Sequence, residues 1–516
     1  MRRFVTRARW SLLPFALLMS LSVAIAQSTS AQGDGTQSAA QNLQVIDELI
    51  QQNKKLETQN QKLIEQIEEL RGSLAQQVSP AGSGNKQQAN LELTTPHPNT
   101  TDAQDLARPE PVVEEEPYKW GAYTPNQGYK VANTEHGDMS ISIYSYVRYL
   151  NQLGLKPTYT NYFGTVSNIQ QRQDLQLNKV QIKFLGWVLN PKFRYFLYAW
   201  TSNASQGLPA QVVLAGNLNY SFNSHFNLGG GIRSLPGTRS VEGNFPFWLG
   251  VDTRLIADEF FRPSYTSGVW AWGDITKKLD YIIMDGNNLS TLGVSAAQLN
   301  NKFDTLSTAL IWMPTTGEFG KGFGDFEDHQ KLATRFAGHF TRSYEDAQEQ
   351  PNSNQFENTQ IRLEDGTVVF TPNIFGQGVA VNSVIYRMAD FDGGIKYHGF
   401  SLDVEYFLRW LTNFQGTGIT AAGLPTVFSH GYQMQTSMML VPKTWQAYLG
   451  GSTLSGKYGN PWDFRAGVNW FPYKNRVLRW NNEFLYLRNS PVGYTAVPFA
   501  LGGNGSVFHS NVELAF

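Results

Sequence analysis

From about residue 139 onward, hydrophobic and polar residues alternate in segments of roughly ten residues, separated by Gly, Asn and Pro. Each segment would form a β-strand with one apolar and one polar face. Repeated over a long stretch, this pattern is typical of a transmembrane β-barrel. The clearest examples are 141–149, 180–188, 193–201, 332–340, 400–410, 464–470 and 478–486.

The lengths of the connections support the same interpretation. A barrel with both chain ends on one side must alternate long outer loops with short inner turns. Counting 247–255 as a wall strand breaks this alternation, whereas one long third loop over 235–267 restores it. We therefore predict an all-β fold, a sixteen-stranded antiparallel barrel. The long inner connection at 314–329 is an irregularity that the pattern does not explain.

The last predicted strand carries apolar Phe508, Val512 and Leu514 on one face and stops at Phe516. A terminal aromatic on such a strand resembles the insertion signal of outer-membrane barrels. We therefore expect residues 138–516 to form an outer-membrane domain in contact with lipid, in a bacterium of the Gram-negative type.

The N-terminal region predicts export. Residues 1–26 combine early arginines, an apolar stretch and Ala-Ile-Ala at 24–26, which is typical of a cleaved signal peptide. After this segment, no run of about 18 apolar residues predicts a membrane-spanning helix.

Residues 41–75 carry a heptad repeat with four leucines in phase at the d positions. The repeat predicts a periplasmic coiled coil, with a parallel trimer favoured over a dimer. A single amphipathic helix packed on its own domain is the alternative. Residues 76–137 are rich in Gln, Ser, Asn and Pro, and we predict that they form a flexible linker and a lead-in to the barrel.

Composition narrows the function classes. The 516 residues contain no cysteine and carry a formal net charge of −1, so disulfides are excluded and nucleic acid is not an expected partner. The eight histidines form no HExxH motif, and no G-x-S-x-G elbow occurs. We therefore predict neither enzymatic activity nor a cofactor or metal site.

Two segments carry a family resemblance: LNKVQIKFLGWVLNPKFRYFLYAWTSN at 177–203 and ADEFFRPSYTSGVWAWGDITKKLDYIIMDGNN at 257–288. They resemble the phosphate-selective porin O and P family over about 139–516. The resemblance implies a trimeric outer-membrane barrel of sixteen strands. It also implies that 235–267 folds inward and narrows a channel for diffusing solutes.

A channel selects ions through charged side chains around an aqueous lumen. With apolar residues facing lipid, alternation directs a set of basic residues inward, and the third-loop region adds charges of both signs. These pore-lining or constriction candidates are Arg148, Lys183, Arg194, Arg335, Lys396, Arg409, Arg465 and Arg479 on strands, and Arg233, Arg254, Asp258, Glu259 and Arg262 in the third-loop region.

Acidic residues such as Asp392, Asp403 and Glu405 share the inward faces, so the predicted lumen has mixed charge. This favours passage of general small solutes or anions over strict phosphate selectivity. Arg254 and Arg262 are the first candidates for the constriction, and the alternative is that they hold the loop through ion pairs.

Two other roles stay open. Inward aromatics at Tyr146, Phe196 and Tyr198 would suit a sugar-conducting path, and 41–75 would suit an envelope tether that binds peptidoglycan or a periplasmic protein. Eight tryptophans are expected near strand ends or on the lipid face: Trp187, Trp200, Trp270, Trp272, Trp312, Trp410, Trp470 and Trp480.

Overall fold

The computed structural model describes residues 123–124, 127–201, 212–241, 246–299, 302–350, 360–494 and 496–516, with isolated helical positions at Gln51, Lys54 and Lys62. The chain divides into two compact units, residues 1–95 and 96–516. The predicted signal peptide, most of the coiled coil and most of the linker lie outside the described residues. Among the described residues, no helix has the length and hydrophobicity to cross a membrane.

The second unit is an antiparallel barrel of sixteen strands, as predicted. Its wall strands are β1 Gly137–Leu155, β2 Gln173–Val188, β3 Asn190–Thr201, β4 Val212–Ser221, β5 Asn227–Ser234, β6 Tyr265–Thr276, β7 Leu279–Gly286, β8 Thr305–Trp312, β9 Ala333–Asp346, β10 Ala380–Tyr397, β11 Phe400–Thr417, β12 Val427–Val441, β13 Trp445–Gly456, β14 Trp462–Trp470, β15 Leu478–Arg488 and β16 Gly505–Ala515.

Each strand pairs with the next, and β16 pairs with β1 to close the cylinder. At the seam, the backbone N–H of Phe516 donates to Ile143 O at 2.9 Å and the N–H of Ile143 donates to Phe516 O at 2.6 Å. A lead-in strand, Gly128–Thr134, pairs with the start of β1, and a shorter strand, Tyr123–Thr124, pairs with the lead-in strand. The closed ring leaves no unpaired edge between β1 and β16.

The inner side is defined here as the side on which β1 begins and β16 ends. Inner connections are short, such as Lys277 and Lys278 between β6 and β7, whereas opposite-side loops such as 347–379 are long. The connection at 313–332 is the exception on the inner side. The predicted alternation of long and short connections is therefore present.

The two faces of the wall differ in chemistry. Outward side chains are apolar and exposed, as at Leu449 (49%) and Phe484 (44%). Inward side chains on the same or neighbouring strands are polar and buried, including Arg465, Glu483 and Asn511. Strand alternation therefore produces an apolar exterior around a charged interior.

Tryptophans partly follow the predicted girdle. Trp312 and Trp480 lie near inner strand ends with exposed indoles, as does Trp445, which was not predicted. The expectation for Trp270 and Trp272 was wrong, because both face the interior and are 2% and 1% exposed. This sector of the interior is itself apolar, with Ile282, Met284 and Ala309 beside them, so inward residues there could not be recognised by polarity.

Candidate functional site in the barrel lumen

The loop between β5 and β6, residues 235–264, is called loop 3 below. Its described residues, 235–241 and 246–264, fold into the barrel instead of crossing the wall. The described residues of loop 3 include the short helix α1, Ile256–Phe261, in which every residue is buried. The Phe261 ring stacks on Phe407 of β11, with ring centres 5.1 Å apart and planes 12° apart. The apolar sequence of loop 3 resembles a wall strand, but it packs inside the lumen.

Three wall arginines bind the backbone of loop 3. Arg479 donates to Trp248 O at 2.7 Å, and Arg148 donates to Val251 O at 2.9 Å. Arg465 donates to the carbonyl oxygens of Thr253 and Arg254, the first at 3.2 Å. Irregular backbone inside a barrel leaves its carbonyl groups without strand partners. The arginines supply these partners through charge-assisted hydrogen bonds.

Loop 3 also carries an internal ion-pair network. Glu259 accepts hydrogen bonds from Arg254 at 3.0 Å and from Arg262 at 2.7 Å. Arg254 lies over the Trp248 ring, 3.9 Å from its centre, and Asp258 accepts from Ser240 Oγ at 2.8 Å. Although burial favours the neutral acid, Arg262 and Arg254 together hold the pKa of Glu259 below its usual value. This geometry favours the interpretation in which Arg254 and Arg262 hold the loop.

The inner connection 313–332 enters the lumen from the opposite end, and it explains the irregularity in the sequence pattern. Phe319, Phe323 and Phe326 are buried. The N–H of Phe323 donates to Phe247 O at 3.0 Å, so this connection meets loop 3 inside the barrel.

Gly322 is the junction of the two segments. Its carbonyl oxygen accepts from Lys396 at 3.0 Å and from Arg239 at 2.9 Å. A Cβ at this position would lie 2.3 Å from atoms of Phe247, and the backbone has φ +71. Only glycine combines this left-handed conformation with the close approach of a second backbone.

The inner connection is braced by His329. Its ring nitrogens contact Asp325 and Glu318, the second at 3.3 Å. Burial opposes the charged form, but the hydrogen bonds to Asp325 and Glu318 prevail and raise the pKa of His329 to about 9. The imidazolium therefore links two acids of the same segment at neutral pH.

The remaining basic candidates are divided between the interior and the rim. Arg335 pairs with Asp392 at 3.3 Å, and Arg409 lies 4.2 Å from the centre of the Phe260 ring. Lys183 is buried, and Arg233 lies over the Trp270 ring at 5.2 Å. Arg194 is at the inner rim, where it donates to Pro191 O at 3.4 Å. The structure thus places these candidates inside the barrel, except for Arg194 at the rim.

Sequence reasoning missed part of this site. His339 on β9 lies 2.9 Å from Asp392 and 3.7 Å from Asp390, both on β10. His339 and the two acids are not part of one short sequence motif, because the loop from 347 to 379 separates β9 from β10. The i, i+2 pair Asp390 and Asp392 was the one available signal, because alternation places both on the same strand face.

Comparison with known proteins gives structural neighbours only, since no family model and no curated protein matches the chain. The chain is similar to in-vitro folded OmpT, an outer membrane protein of Vibrio cholerae, at 9% identity, covering 75% of this chain and 99% of that chain, with TM-score 0.45. It is similar to the outer membrane channel DcaP of Acinetobacter baumannii at 6% identity, 74% and 99% coverage and TM-score 0.44. Pseudomonas putida OprB gives 9% identity, 74% and 94% coverage and TM-score 0.42.

These likenesses lie below the level at which a structural match supports an argument. The strand pairing of this chain itself shows the closed barrel.

Proposed function

We propose that this protein is an outer-membrane channel for passive diffusion of small hydrophilic solutes. The observation that carries the proposal is loop 3, which lies inside a closed barrel on a row of wall arginines, Arg148, Arg465 and Arg479. A barrel of this size without an internal segment would enclose a wide aqueous pore. A charged lumen narrowed from within is the arrangement that restricts solutes by size and charge.

The outward face supports a membrane location. Large apolar side chains such as Tyr432, Leu449 and Phe464 are each at least 40% exposed on the wall. Soluble monomers rarely expose a continuous apolar surface of this extent. Lipid would cover this face, and the short inner connections would then lie in the periplasm.

We include anions such as phosphate among the proposed solutes. We do not propose a binding site that is specific for phosphate. Arg148, Arg465 and Arg479 already bind loop carbonyl oxygens, so their charges are directed at the protein backbone. Acids also line the lumen: Glu483 pairs with Arg465, and Asp392 pairs with Arg335. A lumen of mixed charge suits weak ion selectivity.

The test is conductance in planar bilayers with the purified full-length protein. We expect discrete single-channel steps and a reversal potential that shows weak selectivity. Arg254→Ala and Arg262→Ala should shift the reversal potential or the step size relative to Arg194→Ala at the rim. Absence of any conductance under conditions that insert the barrel would contradict the proposal.

Inward aromatic residues favour a second candidate, a sugar-conducting channel. Tyr146, Phe196 and Tyr198 are buried in the interior, and the last two rings lie 5.0 Å apart. Sugars stack on aromatic surfaces, which would provide a path. Swelling of proteoliposomes in maltose compared with a charged solute of equal size separates the two candidates.

The N-terminal segment motivates a further part of the proposal: trimer formation and envelope tethering through 41–75. The four leucines in heptad phase support it. Deletion of 41–117 should leave single-channel conductance unchanged and reduce retention of the protein with sedimented peptidoglycan. Equal retention of the deleted and full-length proteins would assign no anchoring role to the segment.

A further inference from the structure

Three side chains on neighbouring wall strands converge beside the start of loop 3. They are His339 on β9 and Asp390 and Asp392 on β10, and their potential ligand atoms all lie within 4.8 Å of one another. All three side chains are buried, with exposures of 2% or less. Strand register explains the convergence, since His339 is paired directly with Asp390 and Asp392 is the next residue on the same face.

The orientation of the His339 ring is set by loop 3. Nδ1 lies 2.9 Å from the carbonyl oxygen of Pro236. A carbonyl oxygen can only accept, so Nδ1 carries a hydrogen in this contact. In the neutral ring, the lone pair of Nε2 then faces the carboxylates, with Asp392 at 2.9 Å and Asp390 at 3.7 Å. An imidazole that donates one N–H to a backbone carbonyl and offers the other nitrogen is the arrangement of metal-ligating histidines.

Asp390 supplies an independent observation. Both of its carboxylate oxygens are buried, and neither has a described N–H or hydroxyl group as a hydrogen-bond donor. Its side-chain hydrogen-bonding contact is with another acid, Glu405. Asp392 differs, because Arg335 donates to it at 3.3 Å. The carboxyl groups of Glu405, Asp392 and Asp258 lie close enough to Asp390 to interact with it electrostatically. A buried acid among other acids requires a nearby cation, or a proton that it shares with a neighbouring carboxyl group.

We propose that His339, Asp390 and Asp392 form a divalent transition-metal site in the lumen wall, which ties the start of loop 3 to β9 and β10. One imidazole and two carboxylates suit ions such as Zn²⁺ or Mn²⁺ more than Ca²⁺ or Mg²⁺, which take oxygen ligands. Nitrogen and carboxylate ligands lie about 2.0 to 2.2 Å from Zn²⁺. The present separations require only small side-chain shifts to reach this distance.

The site would couple metal binding to the position of loop 3. His339 contacts Pro236 on one side and the two acids on the other. A metal on Nε2 fixes the ring and thereby strengthens the hydrogen bond of Nδ1 to the loop. The rival arrangement has protons in place of the metal, a second one on His339 and one shared by Asp390 and Glu405, and the binding test distinguishes the metal from the protons.

The test uses full-length protein in detergent, with any affinity tag removed and adventitious metal stripped by a chelator. ZnCl₂ or MnCl₂ is titrated by calorimetry, and bound metal is counted by elemental analysis. We expect one ion per chain and a Kd of about 1 μM or below. His339→Gln and Asp390→Asn should each weaken binding by at least about tenfold.

His509→Gln is the matched control. His509 is also a buried lumen histidine and contacts one acid, Glu483, at 3.1 Å, but no second acid is recorded at its ring among the described residues. This variant should bind metal like the wild type. With Mn²⁺, electron paramagnetic resonance should show a nitrogen coupling from the imidazole that disappears in His339→Gln and persists in His509→Gln.

Asp390→Asn should fold normally, because it removes a buried charge that has no described N–H or hydroxyl donor. A loss of metal binding in this variant would therefore not result from misfolding. Heat-modifiable mobility on gels checks that each variant is a folded barrel. No metal bound at about 100-fold above the expected Kd would overturn the proposal and favour the protonated histidine. Equal binding by wild type and His339→Gln, or by wild type and Asp390→Asn, would overturn it too. The experiment measures metal binding, so its result does not depend on whether the barrel conducts ions.

Discussion

At the scale of single residues, the interior arginines act on the backbone of loop 3. Arg479 combines two roles: it donates to Trp248 O at 2.7 Å and pairs with Glu513 at 2.6 Å. Arg148 likewise donates to Val251 O and to Asn511. The positive charges of Arg479 and Arg148 therefore hold other parts of the protein in place.

Arg479→Ala should destabilise the barrel and release part of loop 3. Removing one partner of a buried ion pair costs about 3 to 5 kcal/mol, because the remaining charge stays buried. The expected results are a lower temperature of heat-modifiable unfolding and a larger single-channel conductance. Arg194→Ala at the rim should change the stability by less than about 0.5 kcal/mol. The double variant Arg479→Met, Glu513→Met should regain stability while keeping the larger conductance; stability as low as in the single variant would contradict this assignment.

His329→Gln should remove a pH dependence of stability. The pKa of His329 is raised from 6.5 to about 9 in the folded protein. Its contribution is therefore complete below about pH 6.5 and is lost as the pH rises through about 9. Thermal unfolding between pH 7 and 10 should show falling stability in the wild type and a flatter profile in His329→Gln. Exposed His136 provides the control, since His136→Gln should keep the wild-type profile.

At the scale of elements, loop 3 and the inner connection 313–332 form one internal assembly. They meet at Phe247 and Phe323, and Lys396 and Arg239 hold the carbonyl of Gly322 at the junction. Two segments from opposite ends of the barrel thus support one another. Disturbing either one should move the other.

Gly322→Ala should separate the two segments. A Cβ there would lie 2.3 Å from atoms of Phe247. Gly378 is the control, because a Cβ at that position would have no neighbouring heavy atom within 4 Å. Both glycines have positive φ, +71 and +79, so alanine costs about 1 to 2 kcal/mol of backbone strain at either site. Gly322→Ala adds about 1 to 3 kcal/mol of overpacking. We expect a larger conductance in Gly322→Ala alone, and the same conductance change in Gly378→Ala would contradict the role of the junction.

Element-scale prediction from sequence succeeded where the signal is local. Alternation identified strands such as β14 and β15, and connection parity reassigned the apolar 247–255 from the wall to loop 3. It failed where contacts are non-local. The arginines of β1, β14 and β15 could be directed inward from sequence, but their carbonyl partners lie about 100 to 230 residues away. Trp270 and Trp272 were misplaced because apolar residues line both faces of β6.

At the scale of the whole molecule, the apolar exterior and polar interior form two concentric surfaces. Outward Leu449 on β13 is 49% exposed, and its strand neighbours at 448 and 450 face inward. This division predicts that the surroundings of the barrel are hydrocarbon.

Leu449→Arg tests this prediction. An arginine on the lipid face near the middle of a bilayer costs about 2 to 4 kcal/mol, and the cost falls to about 0 to 1 kcal/mol near the interface. Folding into lipid vesicles, followed by urea titration, should show this loss for Leu449→Arg. Tyr473→Arg, in the inner turn between β14 and β15 and 70% exposed, should fold like the wild type. Equal stability of both variants would place the Leu449 face in water.

The seam between β1 and β16 has a consequence for how the barrel folds. Ser142 donates to the carbonyl of Phe516 across 374 residues of chain. The loop-closure entropy of such a contact must be overcome before its hydrogen bonds contribute, and contacts of high sequence separation form slowly. Until the final strand arrives, β1 keeps an unpaired edge that can bind another chain. We therefore expect ring closure to limit the folding rate, and an unfinished chain to expose the β1 edge until β16 is in place.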